Sequence, residues 1–101
     1  MNKRKLEDIL DELQIKVSLL GYKYWITAVE LYLENKTIKM MKLCREIAKK
    51  YNTTGSRVER ALRHAIEDKE ETIQRYFNVS YDIDNSAFLA LLAREMEREE
   101  C

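Results

Sequence analysis

The chain has 101 residues, no proline, two glycines and one histidine, and 36% of its residues are charged. That length buries one core but not two, and the scarcity of helix breakers beside abundant Leu, Ile, Glu, Lys and Arg favours an all-helical fold. Eighteen basic and eighteen acidic side chains cancel; no apolar run reaches the roughly 18 to 20 residues that cross a bilayer and no signal peptide is visible, so the expectation is a soluble cytoplasmic protein.

Leu6, Ile9, Leu10 and Leu13 recur at helical spacing and mark a first amphipathic helix. An apolar link through Ile15, Val17, Leu19 and Leu20 ends at Gly21, which reads as a break. Tyr22, Trp25, Ile26, Val29 and Leu33 mark a second helix, and Tyr24, Ala28, Leu31 and Tyr32 widen its apolar arc until it is buried on most sides, with Trp25 as a core anchor. Asn35 to Thr37 form the next joint. Met40 and Met41, like Met96, read as core fillers at helical spacing, and Cys44 as a buried reduced thiol.

Residues 47 to 66, inside a stretch of about 43–67, carry the most information. Ile47, Ala48 and Tyr51 give one helix an apolar face, with Ala48 small enough for a second helix to cross closely. Asn52 stands where a turn requires the left-handed region, which Asn tolerates better than most residues. Thr53 or Thr54 caps the helix that follows, although Ser56 and Glu59 also have capping-box spacing. Val58, Ala61, Leu62, Ala65 and Ile66 then form one buried stripe, leaving Arg57, Glu59, Arg60, Arg63 and His64 outside. This is the form of a helix-turn-helix, whose second helix enters the DNA major groove with its N-terminal side chains against base edges.

The outward residues suit that task. An arginine guanidinium pairs bidentately with guanine O6 and N7, and Arg57 and Arg60, one turn apart, reach neighbouring base steps. Glu59 can accept from cytosine N4. Lys49, Lys50 and Arg63 suit phosphate contacts. His64 reads either as a phosphate or groove-edge contact or as a plain exposed or packing side chain. The bland alternative is a solvated face of ion pairs at three- and four-residue spacing. Charge distribution favours the first reading. Residues 39 to 63 hold eight basic side chains against two acidic, a net of +6, whereas residues 64 to 101 hold four against ten, a net of −6. One face therefore attracts phosphate, and the acidic end offers a protein-facing surface.

Farther on, Ile73, Tyr76 and Phe77 suggest a short helix, and residues 78 to 85 an irregular or extended loop. Asn85 or Ser86 caps a last helix whose Phe88, Leu89, Leu92, Ala93 and Met96 face inward. Cys101, at the end of the sequence, is expected to be solvent-exposed. His64 stands alone, so a histidine-based metal cluster or a catalytic triad is not available, and no glycine-rich phosphate loop exists. Neither an enzyme nor a cofactor is expected.

Residues 47 to 67, Ile-Ala-Lys-Lys-Tyr-Asn-Thr-Thr-Gly-Ser-Arg-Val-Glu-Arg-Ala-Leu-Arg-His-Ala-Ile-Glu, resemble the helix-turn-helix of the C-terminal DNA-binding domain of the sporulation stage zero protein A response regulators. Gly21-Tyr22 followed by Tyr24, and Asn85-Ser86 followed by Phe88, resemble the starts of that family's second and last helices. The resemblance implies an all-α compact bundle of about six helices spanning residues 1–101 as a single domain. It implies base contacts at Arg57, Glu59 and Arg60, with phosphate contacts at neighbours that include Thr54 and Ser56 beside Lys49, Lys50, Arg63 and His64. Its partners would be double-stranded DNA, often bound as tandem protomers on a short G·C-containing box, and RNA polymerase. The family's receiver domain has no room here, its glycine and proline between the first two helices are Gln14 and Lys16, and the joints around residues 34 to 42, 67 to 72 and 78 to 85 differ. The reading is thus a sequence-specific transcription regulator. The alternative is a protein-interaction module that modulates a full-length regulator or polymerase with little DNA binding of its own.

Overall fold

Six helices follow one another along the chain: α1 (Lys3–Glu12), α2 (Leu20–Glu34), α3 (Met40–Tyr51), α4 (Gly55–Ile66), α5 (Glu70–Phe77) and α6 (Asn85–Arg98). The computed structural model describes residues 1–98, among which there is no strand; the expectation for Cys101 lies outside the described residues. The fold is all-α.

Asn2 starts α1 by accepting a hydrogen bond from the Lys5 amide at 3.2 Å. The helix ends when Gln14 takes a left-handed conformation at φ 63° and the Ile15 amide turns back to the Leu10 carbonyl at 3.0 Å. That closure drives Ile15 into the core, while Val17 and Leu20 of the apolar link remain on the surface. Gly21 is not the expected break: α2 starts at Leu20 and runs through it. Its lack of a side chain serves packing instead. A Cβ there would lie 2.5 Å from the Ala61 carbonyl oxygen and 2.7 Å from the Ala65 Cβ, so glycine lets α2 touch the backbone of α4.

α2 is the central post, packed against α4, α6 and α3. Trp25, Ala28 and Val29 are fully buried along it. The Trp25 indole Nε1 donates to the Leu62 carbonyl at 3.1 Å, and its ring meets Phe88 edge to face with centroids 4.8 Å apart. Leu6, Leu10, Leu13, Leu43, Ile47, Leu62 and Leu92 complete the interior, each removed from water and stabilising the fold by about 1.5–3 kcal/mol. The Cα radius of gyration, 12.6 Å, is that of a tightly packed chain of this length.

The segment between α5 and α6 has no regular structure but is pinned at its middle and near its far end. Gln74 Nε2 donates to the Tyr81 carbonyl at 2.9 Å, and the Glu70 carboxylate accepts from the Ile83 amide at 2.9 Å. Two expectations need correction here. The cap of α6 is Asp84, whose carboxylate accepts from the Ala87 amide at 2.8 Å, rather than Asn85 or Ser86. Asn85 is buried inside the helix, where its amide donates to the Glu59 carbonyl at 3.3 Å. Among the methionines, Met96 is buried and Met40 half-buried, but Met41 is 71% exposed and fills no core.

Candidate nucleic-acid interface

Leu43, Cys44, Ile47 and Ala48 form the inner stripe of α3, which holds the helix against its neighbours. Asn52 ends it in the left-handed region, at φ 54° and ψ 53°, and the Thr53 amide closes the turn on the Ala48 carbonyl at 3.0 Å. Two residues later the extended backbone of Thr54 caps α4, its hydroxyl accepting from the Arg57 amide at 3.3 Å. Ser56 therefore lies within the first turn and is not the cap. The corner is short because each helix end is satisfied by the side chain or backbone of the corner itself.

The inner side of α4 is sealed by Val58, Leu62, Ala65 and Ile66, with Ala61 partly covered at the edge. At about 100° per residue, Arg60 stands opposite this stripe, flanked by Arg57 and His64 on one side and by Ser56 and Arg63 on the other. Arg57 and Arg60 are exposed, and neither side chain makes a hydrogen bond or ion pair among the described residues. Glu59 is held differently: Arg63 Nη1 donates to both carboxylate oxygens, at 2.8 and 3.1 Å. His64 Nδ1 lies 3.0 Å from the Glu67 carboxylate, which places an acid beside a residue expected at phosphate. Lys49 is 3.6 Å from Glu46 in an open pair, and the Lys50 ammonium sits 5.5 Å from the Tyr51 ring centroid. These residues share the outer surface of the corner and of α4.

A cleft of about 720 Å³ runs between the first half of α3 and α4, lined by Met41, Cys44, Arg45, Ser56, Arg60 and Arg63 among others. Burial, reinforced by Glu59, pushes the Cys44 thiol above its ordinary range, so it remains a neutral wall of the cleft. A family model described as Sporulation initiation factor Spo0A C terminal matches residues 6–96. The chain belongs to this family. The Spo0A C-terminal domains are DNA-binding effector domains of response regulators in sporulation, a transcription-regulating family rather than an enzyme family. In this member α4 presents Arg57 and Arg60 outward, neither with a hydrogen bond or ion pair among the described residues. Among the described residues no group of histidine, cysteine or carboxylate side chains could hold a metal, and no helix is long and apolar enough to cross a membrane.

Two residues that line this cleft have no site role in the sequence reading. Arg45 lies before the turn and α4, where that reading looks for contacts. Met41 was read by residue type, although Met41, Arg45 and Lys49 recur every fourth residue and so form a file along the solvent edge of α3. That register was available in the sequence.

Proposed function

We propose that this protein is a sequence-specific DNA-binding transcription regulator that reads the major groove with α4, the helix capped by Thr54. Arg57, Glu59 and Arg60 approach base edges, and Lys49, Lys50, Thr54, Ser56, Arg63 and His64 contact the phosphates on either side. One observation carries the reading: two guanidiniums with no hydrogen bond or ion pair among the described residues stand on the outward side of a helix whose inner side, Ala61 at its edge excepted, is buried. A protein that leaves such charges unpaired on a rigid support has them available for an external anion or base edge.

Membership of the Spo0A C-terminal family supports the same conclusion. On this reading the protein works in the cytoplasm, and residues 1–101 form one helix-turn-helix domain. It pairs as tandem protomers on DNA and touches RNA polymerase. Selection of bound duplexes from random DNA at two salt concentrations tests it. The expected yield is one short box carrying guanines, bound with strong salt dependence, and Arg57→Ala or Arg60→Ala should relax the preference at one base position each. Recovery of no preferred box would overturn the proposal.

The second reading, a protein-interaction module, draws on the exposed Tyr76 and Tyr81 on the acidic half of the chain. It requires that Arg57→Ala and Arg60→Ala leave activity untouched while a protein partner co-purifies.

A further inference from the structure

We infer that the cleft between α3 and α4 seats one strand of the DNA backbone, with Arg45 as a phosphate anchor and Met41 against the sugars. The inference rests on the DNA-reading role of α4 and adds a second helix to it. Arg45 is exposed and makes no hydrogen bond or ion pair among the described residues. Its stem is held: the Arg45 Cγ would lie 3.4 Å from a Cβ built on Gly55, so the methylenes lie across the first turn of α4. The stem therefore loses few rotamers when the guanidinium binds.

The charges around it select the occupant. Arg45, Arg60 and Arg63 all line the cleft, against the single carboxylate of Glu59. Arg63 already engages that carboxylate at 2.8 Å, which leaves the guanidiniums of Arg45 and Arg60 uncompensated. An apolar protein segment entering here would have to strip water from both without offering a counter-charge. A nucleic-acid strand offers a phosphate to Arg45 and a base edge to Arg60. Met41, 71% exposed on the lip of the same cleft, gives deoxyribose an apolar surface. If α4 enters the groove, the helix before it crosses the backbone, which brings a strand to this side of the molecule.

The test measures affinity of the full chain for a selected duplex and a scrambled duplex over a series of salt concentrations. Arg45→Gln should weaken binding to both duplexes by a similar factor, roughly tenfold at low salt, and reduce the salt slope by about one. Arg45→Lys should keep the slope, because it keeps the charge. Met41→Glu, which places a carboxylate in the path of the strand, should weaken both duplexes as well. Circular dichroism checks that the variants fold, and a merely structural role for Arg45 would shift the melting temperature and leave the slope unchanged. An unchanged slope in Arg45→Gln, with wild-type binding intact, overturns the strand seat alone. Wild-type protein with no salt-sensitive affinity for any duplex overturns both this inference and the DNA-reading role.

Discussion

The buried indole of Trp25 donates a hydrogen bond to the backbone carbonyl of Leu62 at 3.1 Å, which ties the central helix to the middle of α4. The Leu62 carbonyl belongs to the helix ladder, so this contact restrains rotation of α4 about its axis. Trp25→Phe removes the donor and opens a gap beside Phe88. The expected cost is about 2–4 kcal/mol, read as a lower denaturation midpoint in urea with an unchanged slope.

Gly21→Ala should act against the usual trend. In an exposed helix interior that change stabilises by about 0.5–1 kcal/mol. Here the new methyl would lie 2.5 Å from the Ala61 carbonyl oxygen, and backbone cannot move aside as a flexible side chain can. A loss of about 1–3 kcal/mol is expected. The displaced helix carries Arg57 and Arg60, so duplex affinity should fall even at temperatures where the variant remains folded. Thermal melts and duplex titration of one preparation give both values.

Glu59→Ala separates stability from recognition. The Glu59–Arg63 pair is about half exposed, so its loss should change stability by less than about 0.5 kcal/mol. Removing the carboxylate also frees Arg63 and takes an anion away from the phosphates. Affinity for scrambled DNA should therefore rise, while the preference at one base pair of the selected box relaxes by roughly tenfold. Duplex titrations with single-position substitutions measure both effects.

Gln14→Gly should stabilise. Gln14 is exposed and holds φ 63°, where a side chain costs about 1–2 kcal/mol that glycine avoids. Glycine loses more chain entropy on folding, which takes back part of that relief. A net gain of about 0.5–1 kcal/mol is expected from chemical denaturation.

The helices and the corner were legible because local rules govern them. The stripe from Val58 to Ile66, the left-handed Asn52 and the threonine cap each follow from spacing or from one residue's conformational preference. Legibility failed where a residue's role depends on a partner remote in sequence. Gly21 looked like punctuation, but its purpose lies 40 positions away at Ala61. Asn85 looked like a cap, but its amide grips the Glu59 carbonyl of α4. Met41 has a core residue's chemistry at a surface position, on the lining of the cleft between α3 and α4. The outward arginines are visible in the sequence as a face of α4, but spacing does not say which of them takes Glu59; it is Arg63, and Arg57 and Arg60 have no partner among the described residues.

On α4, Val58 and Leu62 are completely sealed while Arg57 and Arg60 stand free one residue before or two before them. On the proposed function, folding and reading thus draw on opposite sides of one short rod. Replacements among the outward side chains leave the interior untouched and cost little stability. If those side chains read DNA as proposed, a lineage carrying this scaffold can drift toward new operators without first acquiring compensating changes in its interior.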